Sequence, residues 1–332
     1  MTALPQTRYP PPFNITRASH LELLVADLDR SLRFYVEVIG LAVTHRDGGA
    51  AWLRGMEESG HHSLVLRTAA EPACTRLGFR VFLEDELEQL AGDLAARGLA
   101  PRWIEEEFQG RTLRVADPQG VPLEFCARMP PQPRLLTRFH LYRGGGALRL
   151  DHFQLHVPDV RALAGFYTDL GFRISDYFVD QPDDDDPLGL FMYRKNNPHD
   201  MVLLTRPGPQ LHHFGYIVSE SHCLFRALDT AGGIGFAHCF ERGPGRHGQG
   251  HVFYVYFRDP DGHRVEILPP AIQLMDFDDK PARWHSGNRF TWDLPPPKKW
   301  LHQATPFAAV PLREASVEQK FFSLEDFLNA GH

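Results

Sequence analysis

Two stretches of the chain resemble each other closely enough to predict its architecture. Ser19–Leu41 reads SHLELLVADLDRSLRFYVEVIGL, and Asp151–Phe172 reads DHFQLHVPDVRALAGFYTDLGF. When the two are aligned, His20 falls opposite His152, and an aspartate and a Phe-Tyr pair further along coincide at the same offset. A fixed internal offset is the sequence sign of a structural unit that occurs more than once. The chain is therefore expected to contain two related halves.

A second pair of stretches extends the repeat towards the end of each half. Val115–Phe125 reads VADPQGVPLEF and Phe257–Ile267 reads FRDPDGHRVEI, so that Glu124 falls opposite Glu266. A chain of 332 residues is also longer than one hydrophobic core usually serves. Both observations favour two domains of similar construction.

Each half is predicted to contain two modules of one kind. In the second half, apolar and polar residues alternate from His152 to Val157, as in a strand with one buried face. Asp159 is a typical helix cap, and the apolar spacing after it predicts a helix that ends at Gly171. Strand-like runs follow, and the pattern starts again near His212. The sequence thus predicts an α+β fold of four βαβββ modules in two tandem domains with curved mixed sheets.

The composition changes after Pro270, where prolines and tryptophans become frequent. We therefore place the end of the second domain at this point. The predicted organisation is an N-terminal two-module domain over residues 1–140, a C-terminal two-module domain over 141–270, and a tail over 271–332 that packs over the second domain.

Charge and cysteine content narrow the class of protein. The formal net charge is −7, and no basic run offsets it, which argues against a nucleic-acid partner. No apolar stretch has the length of a signal peptide or a membrane span. The four cysteines show no CxxC spacing, so the sequence predicts a reduced, cytoplasmic protein without a disulfide framework. The 18 histidines direct attention to metal binding and proton transfer.

Glu266 stands between two branched apolar residues, and burying a carboxylate there is costly unless something pairs with it. The DPDG sequence at Asp259–Gly262 predicts a tight turn between two strands. In that hairpin Asp259 pairs with His263, and Tyr256 pairs with Glu266. The partner of Glu266 is either an arginine such as Arg264 or a metal, and the hairpin alone leaves both alternatives open.

Two histidines are candidates to join Glu266. His152 and His213 lie near the starts of the first strands of the third and fourth modules. Strands in equivalent places of paired modules can lie side by side, so their imidazoles can converge. Two histidines and one carboxylate form the ligand set typical of non-haem Fe(II) oxygenases. A lone histidine on a strand is usually structural, however, and the spacing by itself does not decide between the two interpretations.

The first half provides an internal comparison. It retains His20 and Glu124, but the position that matches His213 falls near Leu77. We therefore predict that the first domain is a copy without a metal, and that each chain binds one metal ion.

The stretch around Glu266 resembles the signature of the type I extradiol catechol dioxygenases, a family of the vicinal oxygen chelate superfamily. Gly245 stands two residues before His247, Val255-Tyr256 follows, and the DPDG turn and Glu266 complete the pattern. The resemblance covers nearly the whole chain. It implies an oxidoreductase that inserts both atoms of O2 into a catechol beside the diol and yields a muconic semialdehyde. It also implies Fe(II) as cofactor, with Mn(II) as the alternative, and a homo-oligomer.

The resemblance further implies roles for individual residues. His199 would be the acid–base histidine beside the oxygen site. Tyr256 would form a hydrogen bond near the substrate oxygen, and His247 would be a hydrogen-bond donor behind the ligands. The implied metal ligands are His152, His213 and Glu266.

Other residues would surround the substrate. Arg242 resembles the arginine that helps to bind an acidic side chain, which predicts 3,4-dihydroxyphenylacetate or a similar carboxylated catechol as substrate. Gln154 stands where close relatives have asparagine, and Phe191 where they have tryptophan. Lys298 and Lys299 stand where those relatives have paired arginines. These departures leave the ring substituent less well defined than the reaction class.

Two alternatives remain at this stage. A glyoxalase-like metal-dependent isomerase uses the same modules but normally needs a fourth protein ligand. A non-catalytic drug-binding protein of the bleomycin-resistance type needs no redox metal, and it would leave the set of His152, His213 and Glu266 unexplained.

Overall fold

The first half forms a mixed sheet of eight strands. A computed structural model describes residues 4–276, 278–285, 292–318 and 322–330 of the chain. The strand order is β2-β3-β4-β1-β5-β8-β7-β6, in which β1 and β4 are parallel and β1 and β5 antiparallel. The elements of this half are β1 (Ile15–Val25), α1 (Leu28–Arg33) with a π-helical turn (Phe34–Ile39), β2 (Ala42–Arg46), β3 (Ala50–Arg54), β4 (Leu64–Thr68), β5 (Ala73–Val81), α2 (Asp85–Ala96), β6 (Arg102–Glu106), β7 (Gly110–Ala116) and β8 (Pro122–Cys126).

The second half repeats this arrangement in a larger sheet. Its strand order is β14-β15-β16-β13-β9-β12-β11-β10-β17, and a short strand β18 pairs with β13. The elements are β9 (Arg149–Val157), α3 (Val160–Asp169), β10 (Arg173–Phe178), β11 (Gly189–Tyr193), β12 (Met201–Thr205), β13 (Gln210–Ile217), α4 (His222–Gly233), β14 (Phe240–Arg246), β15 (Phe253–Arg258), β16 (Arg264–Leu268), β17 (Ala282–Trp284), α5 (Lys298–His302), β18 (Thr305–Pro306) and α6 (Leu324–Asn329).

The prediction of four βαβββ modules with mixed sheets is confirmed, since each module contributes one strand, one helix and three further strands in chain order. Local chemistry explains the module boundaries. The side chain of Asp159 accepts a hydrogen bond from the backbone N–H of Arg161 at 2.9 Å and so caps α3. Gly171 follows the helix with a φ of +88°, which a residue with a side chain rarely adopts. The domain boundaries at residues 140 and 270 stay predictions.

The repeated Phe-Tyr and Asp-Pro motifs join the two halves. The hydroxyl of Tyr35 in the first half donates a hydrogen bond to Asp259 in the second, at 2.9 Å. Reciprocally, Tyr167 in the second half donates to Asp117 in the first, at 2.8 Å. All four side chains are buried. The matched motifs therefore hold the two related halves together through a pseudo-symmetric pair of hydrogen bonds.

The hairpin around the DPDG turn has the predicted register. Tyr256 pairs with Glu266 across β15 and β16, and the backbone N–H of Asp259 donates to the carbonyl oxygen of His263 at 2.8 Å. Because successive side chains of a strand alternate between the two faces of a sheet, this register places Tyr256 and Glu266 on the same face.

The described part of the tail lies against the second sheet. The strand β17 pairs in parallel with β10, and β18 pairs with β13 in antiparallel orientation. In the chain between these two strands, α5 places Trp300 and Leu301 over the face of the sheet that carries Glu266. Within the described ranges, we find no helix with the length and apolar character that crossing a membrane requires.

Candidate metal centre and its cavity

Three adjacent strands bring His152, His213 and Glu266 together. Their strands β9, β13 and β16 are neighbours in the sheet. The Nε2 atom of His152 lies 3.2 Å from Oε2 of Glu266, and Nε2 of His213 lies 3.1 Å from the same oxygen. The two Nε2 atoms are 3.2 Å apart. Gly215 faces His152 across the strands, and a Cβ atom there would overlap the imidazole ring.

The chemistry of this set fits a divalent metal ion. All three side chains are buried, and within the described residues Oε1 of Glu266 has no hydrogen-bond partner. Arg264, the alternative partner of Glu266, instead contacts Glu241 at 2.6 Å. Two imidazoles and one carboxylate converging on one point are a ligand set for Fe(II) and Mn(II).

The pKa values of the set reflect burial and mutual contact. Burial lowers the pKa of His213 to about 4, so its imidazole is neutral, as a metal ligand must be. Burial also opposes the charged form of His152, but hydrogen bonds to Asp151 and Glu266 raise its pKa to about 9. For Glu266, burial favours the neutral acid, but hydrogen bonds from His152 and His213 hold the pKa well below its ordinary value. A metal ion that binds here must therefore displace a proton from His152.

The first half differs at the position of His213. In each half a glycine faces the first histidine across the central strands: Gly78 in the first half and Gly215 in the second. Two residues before these glycines lie Arg76 and His213. Sequence matching placed Leu77 opposite His213, and the strand register corrects this by one residue, to Arg76.

Guanidinium groups neutralise the glutamate of the first half. The Nε atoms of Arg76 and Arg114 lie 2.9 and 2.7 Å from Oε2 of Glu124, and His20 contacts Oε1 at 2.7 Å. Burial opposes ionisation of Glu124, yet its contacts with His20 and the arginines hold its pKa well below the ordinary value. Among the described residues, both groups that could hold a metal lie in the second half. A single metal ion per chain stays the prediction.

A cavity opens beside the three candidate ligands. Its wall includes all three, together with His199, Tyr256 and His247. Apolar parts of the wall come from both the sheet and the tail, namely Phe178, Phe191, Val202, Leu204, Val252, Leu268, Trp300 and Leu301. Apolar side chains around a set of convergent polar groups are typical of a small-molecule site.

His199 lies in the cavity wall beside the candidate metal site. Its ring centroid is 4.4 Å from that of His152 and 5.4 Å from that of Phe191. Its side chain is buried, and within the described residues Nδ1 has no hydrogen-bond partner. Burial, reinforced by the charge of His152, places the pKa of His199 well below its ordinary value. His199 is therefore neutral, with a lone pair on one ring nitrogen.

Tyr256 and His247 form a hydrogen-bonded pair beside Glu266. Nε2 of His247 lies 2.9 Å from the hydroxyl oxygen of Tyr256 and 3.5 Å from Oε1 of Glu266. Burial and the nearby carboxylate raise the pKa of Tyr256 well above its ordinary value, so the phenol keeps its proton. With Nε2 of His247 as donor, the Tyr256 hydroxyl is left to donate a hydrogen bond into the cavity.

Arg242 lines the cavity and belongs to a buried charged cluster. Its guanidinium donates to Asp293 at 2.9 Å, and Tyr254 also donates to this carboxylate. The guanidinium carbon lies 4.6 Å from the ring centroid of Trp300. Gln154 also lines the cavity, where its amide contacts Nδ1 of His212 at 3.1 Å.

The two tail lysines do not enter the described wall of the cavity. Lys298 extends away to an ion pair with Asp326 at 3.2 Å, and its side chain is 55% exposed. Their role in binding a substrate stays a prediction, and the arginines of the wall, Arg242 and Arg206, are better placed.

Several residues of the site were not anticipated. His156 and His212 have no role assigned from the sequence, and both are buried in the cavity wall. Arg206, Asp293 and Trp300 carried no recognised signal, because their positions depend on how the tail and the strand ends meet the sheet. The position of His212 next to His213 was the one available hint.

Comparisons with known proteins agree with this geometry. The model of the Glyoxalase/Bleomycin resistance protein/Dioxygenase superfamily matches residues 17–125 and 149–267. A manganese-dependent 2,3-dihydroxybiphenyl 1,2-dioxygenase of Geobacillus genomosp. 3 is 27% identical, over 81% of this chain and 90% of its own. A metapyrocatechase of Geobacillus stearothermophilus is also 27% identical, over 89% of this chain and 95% of its own.

Solved structures give the same result. An extradiol ring-cleaving dioxygenase from B. fuscum superposes with a TM-score of 0.89 and 32% identity, covering 96% of this chain and 91% of that one. Native homoprotocatechuate 2,3-dioxygenase from Arthrobacter globiformis gives a TM-score of 0.87 and 33% identity, covering 94% and 99% respectively.

Proposed function

Because this chain belongs to the Glyoxalase/Bleomycin resistance protein/Dioxygenase superfamily, we propose from its cavity that it is an extradiol ring-cleaving dioxygenase. It opens a catechol beside the diol with both atoms of O2 and yields a muconic semialdehyde. The observation that carries the proposal is the convergence of His152, His213 and Glu266 in a cavity that also contains a neutral, buried His199. The similarity to ring-cleaving dioxygenases along nearly the whole chain supports it.

His152, His213 and Glu266 would hold the metal ion, for which we propose Fe(II), with Mn(II) as the alternative. When bound, the ion supplies positive charge that favours ionisation of the diol and a path for electrons from the ring to dioxygen. The net charge of the three ligands, two neutral imidazoles and one carboxylate, leaves the centre positive and so attractive to a catecholate.

The surrounding side chains handle protons and orient the substrate. His199 accepts a proton from a catechol hydroxyl and returns it later in the reaction. Tyr256 donates a hydrogen bond to the substrate oxygen nearest to it, while His247 holds the Tyr256 hydroxyl in place. Phe191 and Trp300 provide apolar surface for the aromatic ring and help to exclude water.

We also propose that the substrate carries an acidic side chain, as in 3,4-dihydroxyphenylacetate. Arg242 is the cation of the wall that supports this choice. A substrate carboxylate would share this guanidinium with Asp293, which already occupies one of its nitrogens. The acidic group is therefore expected to strengthen binding of a catechol without being required for it.

A colour assay tests the proposed reaction. The protein is loaded with Fe(II) without air and mixed with 3,4-dihydroxyphenylacetate, 4-methylcatechol or catechol, and air is then admitted. We expect a yellow ring-cleavage product and uptake of one O2 per substrate. If protein with bound iron gives no colour with any of these catechols, the proposed function is wrong.

The two alternatives have less support. A glyoxalase-like isomerase would need a fourth protein ligand, and in the described residues the set around Glu266 contains three. A drug-binding protein without a metal would leave the buried carboxylate of Glu266 with an oxygen that no described residue satisfies.

Arg242→Gln tests the substrate side chain, and we expect it to raise KM for 3,4-dihydroxyphenylacetate about tenfold or more. A hydrogen bond to a charged group contributes about 1.5–3 kcal/mol, and about 1.4 kcal/mol corresponds to a tenfold change. Because catechol has no acidic group, its KM should change little. The variant is made together with Asp293→Asn so that no buried carboxylate is left without its partner, and steady-state kinetics on both substrates give the ratio.

Lys298→Ala/Lys299→Ala is the companion variant. The prediction from the sequence is that it also raises KM more for carboxylated catechols than for catechol. If it changes the ratio while the Arg242 variant does not, the acidic group binds to the tail lysines. If neither variant changes the ratio of the two KM values, neither site binds the acidic group, and the proposed carboxylated substrate is wrong.

We further propose that the protein forms a homo-oligomer. Large apolar side chains such as Phe82, Phe139 and Met275 are 65%, 77% and 73% exposed in the single chain. Single exposed apolar side chains also occur on monomers, so the family resemblance is the main support for this proposal. Analytical ultracentrifugation tests this, and a single species at the chain mass of 37.7 kDa would contradict it.

A further inference from the structure

The candidate ligand His213 has a second ring nitrogen with an unusual partner. Its Nδ1 lies 2.8 Å from Nδ1 of the preceding residue, His212. Two imidazole nitrogens this close must share one proton, so one of them donates and the other accepts. The direction of this hydrogen bond decides whether His213 can bind a metal, because a metal needs a lone pair on its Nε2.

The other nitrogen of His212 determines that direction. Nε2 of His212 lies 2.9 Å from the backbone carbonyl oxygen of Trp300, which can only accept a hydrogen bond. Nε2 of His212 therefore carries a proton. Nδ1 of His212 also lies 3.1 Å from the amide nitrogen of Gln154, which can only donate a hydrogen bond. Nδ1 of His212 is therefore an acceptor that carries no proton.

The proton between the two rings consequently belongs to His213. Its Nδ1–H donates to Nδ1 of His212, and its Nε2 is left with a lone pair. This is the nitrogen that points towards Glu266 and Nε2 of His152. His212 thus selects the metal-binding tautomer of its neighbour, as carboxylates commonly do for metal-bound histidines.

The other candidate histidine has a partner of the usual kind. Nδ1 of His152 lies 3.0 Å from Oδ2 of Asp151, a buried carboxylate. Each candidate ligand is therefore oriented by the residue just before it in the chain. The two partners differ in charge, since Asp151 is an anion and His212 a neutral ring.

The first half provides an internal control for this assignment. By the register of Gly78 and Gly215, the residues that match Asp151 and His212 are Ser19 and Thr75. The hydroxyl oxygen of Ser19 lies 3.1 Å from Nδ1 of His20, so a residue just before the histidine also contacts it in the first half. Thr75 precedes Arg76 and has no imidazole to orient, so the counterpart of His212 is missing from the half that lacks the second histidine.

His212 also connects the tail to the candidate metal site. Its Nε2–H reaches the carbonyl of Trp300 in α5, and Arg264 bridges the carbonyls of His212 and Gln303, the latter at 2.9 Å. The docked tail therefore fixes the ring of His212, and this ring in turn fixes the ring of His213.

We propose that His212 is a positioning residue for the metal, which accepts the Nδ1 proton of His213 and transmits the docking of the C-terminal tail to this ligand. The inference rests on the proposed function, because it takes His213 as a metal ligand. Partners that orient a metal-bound histidine typically change metal affinity by about 10–100-fold.

Mn(II) binding to four proteins tests the proposal: the wild type, His212→Asn, His212→Gln and His212→Leu. Free Mn(II) is measured by electron paramagnetic resonance, which needs no turnover. The oxygen of the shorter amide in His212→Asn can take the place of Nδ1 and accept the His213 proton, so we expect affinity within a few-fold of the wild type. The Leu variant offers no acceptor, and the Gln amide extends towards the position of Nε2. Both should bind Mn(II) about 10–100-fold more weakly.

His62→Leu is the matched control, because His62 is a buried histidine of the first half that contacts the Gln109 amide at 2.9 Å and is not part of the cavity wall. Its loss should leave Mn(II) affinity unchanged. Melting curves of the metal-free proteins show which variants fold, and the Asn and Gln pair decides the matter if the Leu variant does not.

The outcomes distinguish failure of the proposed function from failure of the proposed role of His212. If the wild type binds no Mn(II) and no Fe(II), the proposed function fails and this inference fails with it. If the wild type binds Mn(II) and the Leu or Gln variant binds it equally well, the inference alone is overturned. Equal weakening in the Asn and Gln variants would mean that His212 acts by packing and not as an acceptor.

Discussion

His213→Ala is expected to abolish metal binding and ring cleavage, whereas His20→Ala should leave both intact. The two histidines lie in related halves, but only His213 points its Nε2 at a carboxylate that has an unsatisfied oxygen among the described residues. Removing His213 leaves only two of the three candidate ligands. Loss of a residue that merely orients a ligand typically costs about 10–100-fold in metal affinity, so the loss of a ligand itself should cost more.

The loss should be larger than a missing ligand alone would cause. Without the His213 ring, His152 and Glu266 remain in contact at 3.2 Å. Since the pKa of His152 is about 9, its imidazolium can form an ion pair with Glu266 at neutral pH. The proton then competes with the metal for the two remaining ligands. Raising the pH towards 9 should consequently restore part of the metal binding in this variant.

Iron content per chain after anaerobic loading is the measurement, with the wild type expected to hold one ion. In His20→Ala, Arg76 and Arg114 still neutralise Glu124, so this variant should fold and load normally. Equal loss of iron in the two variants would overturn the assignment of a single site to the second half.

The four modules and the set of His152, His213 and Glu266 could be predicted from the sequence because their signals are local or repeated. Strand and helix periodicity is local, and the repeat gave every module a second copy against which to check it. The DPDG turn fixed the pairing of Tyr256 with Glu266, because a short hairpin leaves little freedom of register. The reciprocal bonds of Tyr35 and Tyr167, in contrast, cross between the halves, and periodicity carries no information about such contacts.

The residue of the first half that matches His213 was predicted one position away from Arg76. The two halves differ in length between their matched stretches, so the offset between them changes along the chain. Aligning Gly78 with Gly215 places Arg76 opposite His213, and in the sheet both glycines pair with the first histidine and with the glutamate of their half. A shift of one residue moves every side chain to the other face. Here the shift replaces the apolar Leu77 with Arg76 as the residue that matches His213, and the guanidinium of Arg76 neutralises Glu124.

The side-chain contacts of the tail could not be predicted, because the tail has no repeat partner. Trp300 and Asp293 reach the site through the docking of irregular chain segments, and no period specifies such docking. The same cause explains why the lysines lie outside the cavity wall. The orientation of α5 directs Lys298 to Asp326 and Trp300, two residues later, to the cavity.

His199→Asn is expected to lower kcat by about 10²–10⁴-fold while leaving metal affinity unchanged. This range is typical for the loss of a general acid–base group. The ring of His199 lies against His152 without being one of the three residues that converge on Glu266. Asparagine keeps a hydrogen-bonding side chain but cannot take up a proton near neutral pH. The substitution therefore separates proton transfer from polarity.

His62→Asn is the matched control, because His62 occupies the equivalent position in the first half. Its imidazole is committed to Gln109 at 2.9 Å, so it should have no part in the reaction, and kcat should stay at the wild-type value. Rapid mixing of the catechol complex with O2 follows the decay of bound substrate and the appearance of product in each variant. Because His199 serves as both acceptor and donor of the same proton, the slow step in His199→Asn should show a solvent deuterium isotope effect. Wild-type rates in His199→Asn would mean that solvent, and not this histidine, carries the proton.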